Sequence, residues 1–158
     1  MIEHIALAAD HGGLRLKEHL KSELEARGYR ITDLGPLDET SVDYPDFAHT
    51  VAEGIVANSW ARGILVCGTG VGMAIAANRH RGVRAVNCSD TYSARLSRAH
   101  NDSNVLALGQ RVVGPGLALE IVLAWLSTPS PEDARHTRRI AKIELKADPA
   151  PSEEPGRA

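Results

Sequence analysis

Five short apolar runs recur along the chain, and each is followed by a segment with helical periodicity. This alternation is the strongest constraint on the fold. Residues 5–9 (IALAA) read as a buried strand. In the segment after it, Leu16, Leu20 and Leu24 return on one helix face and Gly28 supplies a stop. "YRITDLG" reads as a second strand ending at Asp33, and 44–59 as a helix with Pro45 near its start. Residues 63–67, 83–89 and 104–109 complete the set of strands. Helices are predicted over 72–80, over 90–101 with Asp90 as N-cap, over 115–127, and over 130–146 from a start at Ser130 or Asp133. Strands alternating with helices imply an α/β fold: a five-stranded parallel sheet with helices on both faces.

Such a sheet binds ligands outside the carboxyl ends of its strands. The predicted ends are Asp10-His11-Gly12-Gly13, Asp33, Cys67 with "GTGVG", Ser89-Asp90, and Gly109-Gln110-Arg111. The third is the most informative. A thiol runs directly into Gly68, Gly70 and Gly72. Glycines there let backbone N–H groups converge at a helix start, which suits an anion or a developing oxyanion. The dinucleotide fingerprint is broken, because its third glycine would fall at Met73 or Ile75. A P-loop would need Gly-Lys-Ser/Thr, and a cysteine phosphatase would need Arg at position 73. Two readings stay open: a buried structural cysteine in a tight turn, or a thiolate acting as nucleophile or as base on carbon. Cys88 has no such loop and reads as plain core.

Other motifs are weaker alone. Asp10 and His11 could hold a hydroxyl and a phosphate, or form a simple Asx-type turn. His100 falls near a helix C-terminus, where the dipole favours imidazolium; it could equally be a cap followed by Asn101 in the left-handed conformation. Arg135 and Arg139, four apart, share a helix face that could be simply solvated. No His, Cys and carboxylate grouping has metal-ligand spacing, so no metal or cofactor is expected.

Composition narrows the field. The formal net charge is −2 and aromatics are 4%, which argues against a nucleic-acid partner. No apolar run reaches the roughly 20 residues of a membrane span, and no basic stretch precedes the first apolar run as in a signal peptide. With two cysteines, a reducing cytoplasm is the expected location. A single domain is expected over 1–146, followed by a proline-rich, polar tail over 147–158 expected to be disordered.

In order, "AADHGG", "DYPDFA", "GILVCGTGVGMAIAANRHRGVRAVNC", "SARLSRAHNDSNVLALGQRVVG" and "ARHTRR" closely resemble the ribose-5-phosphate isomerase B family over about residues 3–145. The wider group includes galactose-6-phosphate and allose-6-phosphate isomerases. The resemblance implies a Rossmann-like three-layer sandwich. It also implies a homodimer, or a dimer of dimers, with each active site at a subunit interface. The substrate would be a phosphorylated sugar, isomerised between aldose and ketose without a metal. Carried over by residue, it implies Cys67 as the base and Thr69 with the amides of Gly68, Gly70, Val71 and Gly72 as the enediolate receptor. His100 would open the furanose ring, with Asp10 and Asn101 on sugar oxygens. His11, Arg111, Arg135 and Arg139 would contact phosphate, and Tyr44 would line the pocket. Some relatives carry a carboxylate base in the loop; the corresponding position here is Met73. A sugar of four or six carbons, or a non-catalytic phosphate- or nucleotide-binding module, are the alternatives.

Overall fold

The computed structural model describes residues 3–144. The expected tail over 147–158 lies outside the described residues. The elements are β1 (His4–Ala9), α1 (Leu14–Ala26), β2 (Arg30–Asp33), α2 (Tyr44–Val56), β3 (Arg62–Cys67) and α3 (Val71–Ala77). They continue with β4 (Ala85–Asn87), α4 (Thr91–Asn101), β5 (Val105–Gly109), α5 (Pro115–Ser127) and α6 (Ala134–Ile143). The sheet is five-stranded and parallel, in the order β2-β1-β3-β5-β4.

Strand alternation sorts the side chains into two cores. Ile5, Leu7, Ile64, Val66, Leu106 and Leu108 face α1, α4 and α5, where Trp125 is fully buried. Ala6, Ala8, Leu65, Cys67 and Ala107 face α2 and α3. The second core is lined by small residues on both sides, including Ala48, Ala52, Ala74, Ala76 and Ala77. That composition brings α2 and α3 close to the sheet, and Cys67 ends a strand on that face.

Among the predicted boundaries that shift, two do so for clear local reasons. The fourth strand begins at Ala85 rather than 83, because the Arg84 N–H donates to the Asn104 side chain at 2.8 Å instead of joining the ladder. The last helix begins at Ala134, since Asp133 caps it by accepting from the His136 N–H at 3.0 Å. Ser130, the other expected start, instead ties α4 down: its hydroxyl donates to Asp102 at 2.7 Å and accepts from Arg98 at 2.9 Å. Asp90 caps α4 as expected, with Ser93 N–H donating at 2.7 Å. The left-handed residue after α4 is Asp102 at φ 47°, one position beyond Asn101.

The loop after β2 is strapped across the carboxyl edge of the sheet. Lys17, fully buried, donates to Asp33 Oδ1 at 2.7 Å and to the Pro36 carbonyl at 3.0 Å. Lys21 takes the other Asp33 oxygen at 2.9 Å, and the Gly35 N–H donates to Oδ1 at 2.9 Å. Burial pushes the Asp33 carboxyl up, but the hydrogen bonds from Lys17, Lys21 and Gly35 outweigh it, and the net value lies below the ordinary 3.8. A lowered folded value means the stabilisation is present above the unfolded value and is lost as pH falls through the folded one. The stability difference between the natural chain and Asp33→Asn is therefore expected to be largest near neutrality and to shrink below about pH 4. Urea unfolding across that range checks this; a pH-independent difference contradicts it.

Candidate active site

β2 lies on one side of β1 and β3 on the other, so the chain reverses its direction of sheet growth between β1 and β3. A crevice opens outside the strand ends at such a point. Here the ends are bound tightly together. The Asp10 N–H donates to the Val66 carbonyl at 3.1 Å, Gln110 N–H to Cys67 O at 2.9 Å, and Arg111 N–H to Gly68 O at 3.0 Å. Three strand ends thus share one backbone scaffold.

The turn after β1 is closed by the Gly13 N–H on the Asp10 carbonyl at 3.0 Å. It is not closed by the aspartate side chain, so the Asx-type reading of this turn does not hold. The carboxylate remains available: Asp10 Oδ1 is buried and, among the described residues, is the sole buried side-chain polar atom lacking a hydrogen-bond partner. A buried acceptor left in that state is costly unless something completes it. The space in front of it is defined by Gly12. A Cβ there would lie 3.2 Å from Asp10 Oδ1, 3.6 Å from Gly68 N and 3.8 Å from Arg111 Nη2. A carboxylate, a backbone amide and a guanidinium converge on one small volume.

The glycine loop supplies the second wall. Gly70 has φ +81°, which glycine adopts without the penalty a side chain would incur. This turn points the Gly70 N–H at Cys67 Sγ, 3.0 Å away. Gly72 lets the Tyr44 ring pack against the start of α3; a Cβ there would come within 2.8 Å of the ring. Gly68 similarly leaves room for the Arg111 guanidinium, 3.5 Å from where its Cβ would be. Thr69 and Val71 sit on the exposed side of the loop, with Val71 N–H directed at Thr69 Oγ1. The first-turn amides of α3 have no helical partner and face this loop. His11 is held over the same edge by accepting from the Val42 N–H at Nδ1, 3.2 Å.

The remaining candidates lie elsewhere. α4 runs back from the carboxyl edge, so His100 and Asn101 come at the amino edge of the sheet. Arg84, just before β4, donates to the Asn101 carbonyl at 3.0 Å, and the Asn104 carbonyl accepts from Gly63 at the start of β3. Gly63 and Cys67 are separated by four strand steps, ~13 Å. Arg135 and Arg139 are exposed on α6, whose first turn is joined to the end of α4 by a parallel stack of His136 on His100. Within one chain, Asp10, His11, Tyr44, Cys67, Gly68, Thr69, Gly70, Val71, Gly72 and Arg111 share one edge. His100, Asn101, Arg135 and Arg139 share the other.

One contributor was not read from the sequence, and a second, His136, reads there only as part of a solvated basic face. Asn87 donates from its side chain to the carbonyls of Thr69 and Ala107, both at 3.1 Å, and so braces the glycine loop from β4. Its one signal was a polar residue late in a strand. His136 is buried between flanking exposed residues, a pattern that a helix rich in basic residues conceals. Met73 is fully buried in the core, so the loop presents no carboxylate. Among the described residues no group of three or more His, Cys, Asp and Glu could hold a metal, and no helix is long and apolar enough to cross a membrane.

The ribose/galactose isomerase family model matches residues 5–143. The chain belongs to that family. It is 47% identical over 142 residues to the ribose-5-phosphate isomerase B of Escherichia coli, covering 90% of this chain and 95% of that protein. It is also 47% identical over 124 residues to a D-erythrulose-4-phosphate isomerase of Pectobacterium atrosepticum, covering 77% of this chain and 81% of the other. A Thermotoga maritima ribose 5-phosphate isomerase crystal structure superposes with a TM-score of 0.87 at 48% identity, over 90% of this chain and 97% of that one. The protein is thus an enzyme, a sugar-phosphate aldose–ketose isomerase with a Rossmann-like fold, and the non-catalytic module is set aside.

The two cysteines should separate chemically. Burial, with a smaller contribution from the Asp90 charge, pushes the Cys88 thiol up to about 11, which leaves almost no thiolate near pH 8. Iodoacetamide at that pH is expected to label Cys67 and abolish activity while Cys88 stays unmodified, with sugar phosphate slowing the reaction. Peptide mapping reads the outcome; comparable labelling of Cys88 contradicts the assignment.

Proposed function

We propose that the enzyme interconverts ribose 5-phosphate and ribulose 5-phosphate through an enediolate, with Cys67 as the base. The observation that carries this is the Cys67 sulfur against the Gly70 N–H, beside the unpartnered Asp10 carboxylate and Arg111. A proton alpha to a carbonyl is weakly acidic, so a base needs a receptor for the charge it creates. The Cys67 thiolate takes the C2 proton of the open-chain aldose. The electron pair moves onto the C1 carbonyl oxygen, which the loop amides and Thr69 receive. Donors of this type are worth on the order of 3 kcal/mol each. A proton shift from O2 to O1 and return of the thiol proton to C1 then yield the ketose. Charge stabilisation by the loop requires no metal.

Binding energy comes from the far end of the substrate. Arg111 and His11 hold the phosphate from this edge, and Asp10 accepts from a sugar hydroxyl. His100, Asn101, Arg135 and Arg139 reach the same substrate from a second copy of the chain, because they lie at the opposite edge of their own sheet. This makes the functional unit at least a homodimer, with His100 opening the furanose ring. The free cysteines suit a reducing cytoplasm.

A four-carbon aldose phosphate is the second reading, favoured by the equal identity to the D-erythrulose-4-phosphate isomerase. An isomerase assay against four-, five- and six-carbon aldose phosphates decides: ribose 5-phosphate is expected to give the highest kcat/KM. Cys67→Ala should retain its fold and bind substrate, yet lose at least about 1000-fold in turnover. Residual turnover near a tenth of the natural rate overturns the role of Cys67. Dialysis against EDTA should leave the rate unchanged; loss restored by a divalent ion would overturn the loop as sole charge receptor.

A further inference from the structure

The His100 ring has a partner that the family resemblance did not point to. His136, on the first turn of α6, stacks on it with ring centroids 4.4 Å apart and planes 8° from parallel. Among the described residues, no hydrogen bond fixes the His100 ring, so this stack is what sets its plane. His136 is itself firmly held. It is 6% exposed, and Asp133 grips it twice, through its backbone N–H at 3.0 Å and through ring Nδ1. The side-chain hydrogen bond from His136 leads the causes that hold the Asp133 carboxyl down at about 2, so Asp133 is a carboxylate acceptor at any working pH.

We propose that His136, clamped by Asp133, is a positioning residue that orients the His100 imidazole for ring opening of the sugar phosphate. Ring opening moves a proton between the ring oxygen and the anomeric hydroxyl. An imidazole does this only when its nitrogen edge meets those oxygens in line. A free ring at a helix end rotates about its last torsion, which is broad for an imidazole. A parallel neighbour removes that freedom and leaves the nitrogens to move in one plane. His136 itself touches no substrate in this account; it works through His100, and the inference rests on the ring-opening reading of that residue. Arg135 and Arg139 flank it in sequence and remain free for phosphate.

The test is a double-mutant cycle with His100→Ala, His136→Ala and the double variant, with His136→Phe and Asp133→Asn beside them. Thermal melts confirm that each is folded. Two rates are measured: aldose turnover, and deuterium wash-in at C1 of ribulose 5-phosphate, which is open-chain and needs no ring opening. His136→Ala is expected to lose about tenfold or more in aldose kcat, with KM changed less than about twofold and ketose exchange within about threefold of natural. His136→Phe, which keeps a flat ring in place, should recover most of the loss. Asp133→Asn keeps a helix cap but weakens the grip, and should fall between. The double variant should be no slower than His100→Ala. Aldose turnover undiminished in His136→Ala, or additive losses in the double variant, overturns the proposal. The ring-opening reading is judged separately by His100→Ala. If that variant slows ketose exchange as much as aldose turnover, that reading falls, while additivity in the cycle still decides whether His136 acts through His100.

Discussion

The site depends on how closely two backbones approach. A Cβ on Gly13 would lie 2.3 Å from the Val66 carbonyl oxygen, so no larger residue fits where the turn after β1 crosses the end of β3. Gly109 meets Thr69 in the same way, at 2.6 Å. These contacts lock β1, β3 and β5 at their carboxyl ends. Asp10, Cys67 and Arg111, distant in sequence, then face one volume on a rigid floor. Stabilisation of a developing charge works through fixed dipoles that need not reorganise. A scaffold in which the strand ends hydrogen-bond to one another provides that fixity before any substrate arrives. The strap held by Lys17 and Asp33 closes the third side, bringing Tyr44 and His11 over the edge.

Much of this was legible in the chain. Apolar runs of strand length, separated by helical periods, define the sheet, and the two-core alternation of Ile5 to Ala9 and Ile64 to Cys67 follows from a period of two. The glycine loop was legible because its glycines have separate duties: a positive φ at Gly70 and a close neighbour at Gly72. The strand order was not. Nothing in the sequence states that β5 inserts between β3 and β4, since pairing is decided by tertiary packing. Nor could local pattern reveal that Asn87 braces Thr69, a contact spanning eighteen positions, or that His136 turns inward from a basic helix.

The separation of the candidates into two edges has a simple origin. A helix that follows a parallel strand must return antiparallel to it, so the start of α4 lies at the carboxyl edge and its end at the other. A residue at the end of such a helix cannot reach the crevice of its own sheet. Under the proposed function, symmetric association resolves this: one two-fold axis would supply each crevice with the opposite edge of its partner. The same rule explains why α6 matters. It packs beside the end of α4, so it carries Arg135, Arg139 and the clamped His136 to the place where His100 already stands.

Hybrid complementation tests the shared site most directly. Cys67→Ala and His100→Ala are each expected to be nearly inactive alone. Unfolded together and refolded as a mixture, they form hybrids in which one of the two sites carries both defects and the other carries neither. Equal mixing should therefore restore about a quarter of the natural activity, the share expected when half the dimers are hybrid and half their sites are intact. Recovery near that level is the expected outcome of a site shared between two chains. A mixture no more active than its parts, with hybrid formation confirmed by native mass spectrometry, would place Cys67 and His100 in the same chain's site and contradict it.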